Sequence, residues 1–161
     1  MTTKTYLPIL TYICNDNEIG IKNIFEYGTS IYKTKFSDTC QVLSMEIDRE
    51  KNIENDLQLD LHNKSIEYFK NLNRSFSIVF IDGNPETRWK YINEAFNKTD
   101  IIIVPDTEMS CYNWDLVKKP ENNEYYWLDI KKYNPWTSVI TRNRELIHKL
   151  SKVFDAKIRD F

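Results

Sequence analysis

Two unbroken apolar runs constrain the fold more than any other feature of the chain. Ile78-Val79-Phe80-Ile81, inside the longer segment Phe76–Ile81, and Ile101-Ile102-Ile103-Val104, inside Asp100–Val104, are rich in β-branched residues and carry no polar alternation. Such runs suit strands covered on both faces. Between them, Thr87 to Asn97 has helical periodicity, with Trp89, Ile92, Ala95 and Phe96 predicted to face inward. Strand, helix and strand in that order make a βαβ unit. Parallel neighbours need such a crossover, and it is right-handed.

The rest of the chain extends this pattern. Tyr6, Leu7, Ile9, Leu10 and Ile13 recur at helical spacing, with Pro8 in the first turn where it is tolerated. Lys22–Tyr27 and Gln41–Ile47 read as strands, and Leu57, Leu59 and Leu61 alternate as a short third one. Ser30–Phe36, Arg49–Asp56 and Lys64–Leu72 read as helices. Tyr125–Tyr133 and Thr137–Thr141 flank Asn134-Pro135, and so short a connection forces antiparallel pairing. Leu146, Ile147, Leu150, Val153 and Phe154 define an amphipathic terminal helix, with Lys157 and Arg159 in a frayed tail. At 161 residues, without a linker or repeat, residues 1–161 are expected to form a single domain.

Composition excludes several function classes. A net charge of -2 is not the basic footprint of a non-specific nucleic-acid binder, so nucleic acid is not an expected partner. No apolar run reaches the roughly 18–20 residues that span a bilayer, and the start of the chain lacks a secretory pattern. A cytoplasmic protein with no membrane partner is expected. Cys14, Cys40 and Cys111 form no CxxC pair and are expected to be reduced thiols. Lysine, asparagine and isoleucine supply 51 of the 161 residues, a bias typical of AT-rich coding sequence and therefore of a viral or AT-rich microbial source.

Ligands of open α/β sheets bind outside the carboxyl ends of the strands. There this chain places Glu26-Tyr27-Gly28-Thr29-Ser30, Glu46-Ile47-Asp48, Asp60, Asp82-Gly83-Asn84 and Asp106-Thr107-Glu108. Gly28 permits a tight turn, and Glu46, 18 residues on, is placed to accept hydrogen bonds from a ribose diol. That spacing fits NAD and S-adenosylmethionine alike. The dinucleotide fingerprint needs further glycines where Ser30 and Lys33 stand, and no GxxxxGK[ST] loop occurs. A rim of carboxylates also suits a cationic sulfonium better than a pyrophosphate.

Ile24–Ser30 resembles the ExGxG first motif of seven-stranded S-adenosylmethionine-dependent methyltransferases, with Ser30 at the second glycine. Met45-Glu46-Ile47-Asp48 resembles their second motif. Ile78–Gly83 is similar to the fourth-strand motif of the O-methyltransferase branch, and Ile101–Glu108 to the fifth-strand motif. The resemblance implies a Rossmann-like α/β fold. Its central sheet would be mostly parallel, with helices on both faces and a C-terminal antiparallel strand pair. It implies S-adenosylmethionine as cofactor, bound by Glu26, Gly28, Ser30, Glu46, Asp60 and Asp82. Tyr112, Trp114 and Trp127 are alternative aromatic walls for the adenine.

The implied reaction is O-methylation of a small molecule or sugar, with Asp82, Asp106 and Arg88 as the catalytic set. Either Asp82 or Asp106 is a direct general base, or Mg²⁺ is held by Asp82 and Asp106 with Glu108 standing in for the usual asparagine. Arg88 would clamp an anionic substrate group or pair with Asp82 or Glu86. Two further readings stay open. One is a non-catalytic binding or assembly protein on the same fold. The other is an RNA methyltransferase, ranked lower because no [DN]PP[YF] motif occurs.

Overall fold

The computed structural model of the chain describes residues 5–28, 41–45, 64–83, 85–108, 113–121 and 124–159. The expected third strand at 57–61 and the helices at 30–36 and 49–56 lie outside them. Within them the chain is an α/β fold built on one mixed sheet.

Helix α1 (Leu7–Cys14) comes first, then β1 (Asn23–Tyr27), β2 (Gln41–Met45) and helix α2 over residues 64–71. Strand β3 (Ile78–Ile81) leads through a 3-10 turn at Pro85–Thr87 into α3 (Arg88–Ala95) and β4 (Ile101–Pro105). After a 3-10 turn at Trp114–Leu116 come β5 (Tyr126–Ile130), β6 (Thr137–Thr141), α4 (Arg144–Val153) and β7 (Lys157–Arg159).

The sheet order is β2-β1-β3-β4-β6-β5-β7. Pairings β2–β1, β1–β3 and β3–β4 are parallel, and β4–β6, β6–β5 and β5–β7 are antiparallel. The expectation of a mostly parallel sheet is thereby corrected to one that is parallel in its first half only. The source is the short connection between β5 and β6, which returns the chain alongside itself, and the tail, which adds β7. Residues 157–159 are therefore a strand and not a frayed end. They pair Trp127 with Arg159, Leu128 with Ile158 and Asp129 with Lys157.

Period-2 alternation sorts the core into two layers. Ile24, Ile78, Phe80, Ile101, Ile103, Leu128 and Val139 face α1 and α4, meeting Ile9, Leu10, Ile13, Leu146, Ile147 and Leu150. Phe25, Tyr27, Val79, Ile81, Ile102, Trp127 and Ile140 face α2 and α3, meeting Ile66, Phe69, Tyr91, Ile92 and Ala95. Helices thus cover both faces, which is why the central runs could be apolar throughout. Each fully buried side chain of this size contributes about 1.5–3 kcal/mol of transfer free energy.

Of the residues predicted to face inward, Ile92, Ala95 and Phe96 are buried and Trp89 is half-buried, while Arg88 and Tyr91 are buried as well. Tyr91 can go inside because its hydroxyl finds Ser65 Oγ at 2.6 Å. Helix α4 is capped by Asn143, whose Oδ1 accepts from the Leu146 N–H at 3.0 Å. Among the described residues no helix is long and apolar enough to cross a membrane.

Candidate functional site

The parallel register brings the carboxyl ends of β1, β2, β3 and β4 to one edge. Tyr27 lies opposite Met45 and Ile81, and Phe80 opposite Ile103. The chain steps from β1 outward to β2, then crosses back to place β3 on the other side of β1. Sheet order therefore reverses between β1 and β3, and at such a switch point a crevice opens for ligands. The residues leaving those strands are Gly28 on one side and Asp82 and Gly83 on the other. Because β4 and β5 point the same way, Asp106 and the 131–136 loop stand at this edge too.

Glycine is required in both turns for steric reasons. Gly28 has φ +93, and a Cβ there would lie 2.4 Å from Gly83 Cα and 2.5 Å from the Asp82 carbonyl oxygen. A Cβ on Gly83 would lie 1.8 Å from the Tyr27 ring. That ring cannot yield, since it stacks on Tyr91 at 3.9 Å and its hydroxyl shares a 3.2 Å hydrogen bond with Thr87. The two turns lie in backbone contact, and the Asp82 N–H donates to the Tyr27 carbonyl at 2.8 Å.

Arg88 ties this edge together. Its Nε donates to the Gly83 carbonyl at 3.0 Å, one terminal nitrogen to the Pro105 carbonyl at 2.6 Å and the other to Asp82 Oδ1 at 3.2 Å. The side chain is 4% exposed against 23% for that of Asp82. Of the two roles expected of Arg88, pairing with Asp82 is the one seen. The guanidinium points into the protein and joins the ends of β3 and β4, while Asp82 keeps one side toward solvent.

Asp106 leaves β4 with φ 59, in the left-handed region that costs a non-glycine residue about 1 kcal/mol or more. Burial raises its carboxyl above the ordinary value of 3.8, the Arg88 charge pulls it partly back, and Glu108 raises it further. The next two residues are committed elsewhere. The Thr107 and Ser138 hydroxyls lie 2.7 Å apart, and Ser138 Oγ donates to Asp129 Oδ1 at 2.6 Å. Glu108 Oε2 accepts from the Trp136 N–H at 3.0 Å, anchoring the 131–136 loop.

A residue that the sequence did not single out for the site lies near it. Tyr6, in the turn before α1, packs against Phe80 at 5.1 Å between ring centroids and is 8% exposed. Its hydroxyl lies within electrostatic reach of Asp82, Glu26 and Asp106, which add to burial in keeping the phenol protonated. Glu26 lies on the same face of the sheet, in register with Phe80, and is fully buried. Sequence periodicity marks Tyr6 as apolar packing. Nothing local shows that this turn reaches the carboxyl edge.

Of the other expected site residues, Gly28, Glu26, Asp82 and Asp106 come together at the edge, whereas Ser30, Glu46 and Asp60, like Tyr112, lie outside the described residues. Trp127 is not a ligand wall. It is 1% exposed, its indole N–H donates to Asp129 Oδ1 at 2.8 Å, and Arg159 stacks over it at 4.0 Å. Trp114 meets Trp127 edge-on and donates its indole N–H to the Thr107 carbonyl. No three acidic, histidine or cysteine side chains among the described residues stand together as metal ligands. Comparison with protein-family models, with curated proteins and with solved structures finds no match to this chain.

Proposed function

We propose that this chain is an S-adenosylmethionine-dependent methyltransferase acting on an oxygen of a small molecule or sugar. The observation that carries the reading is the reversal of sheet order between β1 and β3, with Glu26, Gly28 and Asp82 at that point. The motif resemblance of the same segments supports it. So does the chemistry of the edge, where carboxylates favour a cationic ligand over a pyrophosphate. A Rossmann-like relationship rests on the same two supports.

Bound S-adenosylmethionine would supply the methyl group together with its own leaving group. What remains for the chain is to hold the acceptor and take its proton. Asp106 suits the second task. Its raised carboxyl is a stronger base than an exposed aspartate, and Arg88 favours its ionised form. Arg88 acts as a positioning residue, fixing Asp82 and the backbone before Asp106.

A non-catalytic binding protein on the same scaffold is the second reading. It is favoured by the commitment of Arg88 and Glu108 to holding the edge in place. Calorimetric titration with S-adenosylhomocysteine separates the two. The enzyme reading expects micromolar binding, weakened about tenfold in Glu46→Ala through lost ribose hydrogen bonds. Folded wild-type protein that binds nothing overturns it in favour of the binding protein.

A further inference from the structure

A cavity of about 300 Å³ lies beside β7, and Asp129, Lys131, Asp155, Lys157 and Arg159 line it. Lys157 stands opposite Asp129 and Arg159 opposite Trp127, so both cations share a sheet face with that acid and that ring. Two of the three cations are fixed by aromatic faces. Lys131 Nζ stands over the Trp136 ring at 4.2 Å, and Arg159 Cζ over the Trp127 ring at 4.0 Å. An aromatic face holds a cation in place without supplying a negative charge. The buried acid is already spent. Asp129 Oδ1 accepts from the Trp127 indole and from Ser138 Oγ, and Oδ2 lies 3.5 Å from Arg159. Among the described residues neither Lys131 nor Lys157 has an acidic partner. Asp155, exposed and at φ 49, is the other acid of the lining. The pocket therefore carries an excess of positive charge, held in position before any ligand arrives.

We propose that this pocket binds a phosphate group, either free or carried on a small molecule. Ammonium groups act as compact charges toward phosphate oxygens, and an arginine beside them adds directed donors. The cavity is at the small end of the range for ligand pockets, which suits one phosphate with little attached. Lys131 directly follows β5, at the same edge as Asp106 but two strands along, about 10 Å at the usual strand spacing. The pocket is thus separate from the Asp82 and Asp106 site, and the proposal does not rest on the methyltransferase reading.

The test is calorimetric titration of inorganic phosphate and of glucose 6-phosphate into the full chain at constant ionic strength. The expected result is saturable binding of at least one, with a Kd on the order of 1 mM. The double variant Lys131→Gln, Lys157→Gln should weaken it about tenfold. The double variant Lys118→Gln, Lys119→Gln makes the same change in net charge away from the pocket and should weaken it by less than about twofold. Asp155→Asn removes the unspent acid, keeps a residue that tolerates left-handed backbone, and should strengthen binding by about twofold or more. All five substituted residues are exposed, so each variant keeps the fold. Tighter binding of glucose 6-phosphate supports the proposal with a phosphate ester as occupant, and equal or tighter binding of inorganic phosphate supports it with the free ion. Saturable binding of neither probe overturns it. So does equal weakening by the two lysine pairs, since net charge and not the pocket would then hold the anion, and so does an Asp155→Asn variant that binds no more tightly.

Discussion

Arg88→Met tests whether the edge is held from within. Methionine keeps most of the side chain's volume and removes every donor. The buried Pro105 carbonyl loses its 2.6 Å partner, the Gly83 carbonyl loses a partly buried one, and Asp82 loses its counter-charge. A buried carbonyl left without a partner costs about 1–3 kcal/mol, and a partly buried one less. The Asp82 side chain is 23% exposed and can turn to water, so its share is well below that of a fully buried ion pair. Together these give a loss of about 3 kcal/mol, a large fraction of the roughly 5–15 kcal/mol that holds a domain folded. For a chain of this length that is a fall in Tm of about 6–12 °C. Urea unfolding followed by circular dichroism measures it as a lower midpoint at unchanged slope. A loss under about 1 kcal/mol would refute the reasoning, because an arginine reserved for substrate can be removed without unfolding anything.

Two more outcomes concern the same edge. Gly28→Ala places a Cβ against the Gly83 backbone at a φ of +93, so it should cost about 3 kcal/mol or more by the same unfolding assay. Asp106 holds its proton to higher pH in the folded chain than in the unfolded one. Its contribution to stability therefore falls as pH rises from the ordinary value of 3.8 through its folded value, and is constant above that. Asp106→Asn should accordingly raise the unfolding midpoint at pH 7, with the gain shrinking toward zero as pH is lowered past 3.8. A gain that is the same at both pH values would contradict this.

What could be read from the residues tracked burial. The runs that became β3 and β4 were legible because both of their faces are covered, leaving a local signal in every residue. The placement of acids at strand ends was legible for the same reason, since it needs only the strand boundaries. Three things were not. Lys157-Ile158-Arg159 has too few residues and too much charge to announce a strand, and only its pairing with β5 makes it one. The contact of Arg88 with the Pro105 carbonyl joins two elements that the sequence separates by a whole helix. The burial of Tyr91 on α3 depends on its bond to Ser65, on a helix distant in the chain, which makes a tyrosine acceptable inside. Tyr6 belongs with these, since only the fold brings its ring against Phe80 of β3.

Strand β7, at the sheet edge among the described residues, has a consequence for how this protein behaves at high concentration. A sheet edge is a template on which another chain can add. Here the edge beyond β5 is closed by three residues, two of them cationic, so few backbone groups are on offer and an approaching copy meets like charge. Arg159 also lies over Trp127 and reaches Asp129, which fastens the strand to the layer beneath it. Without it, the full length of β5, with its aromatic and aliphatic residues, would stand as the sheet's rim. Strand β7 thus acts as a stop that keeps this side of the sheet from growing into the next molecule's.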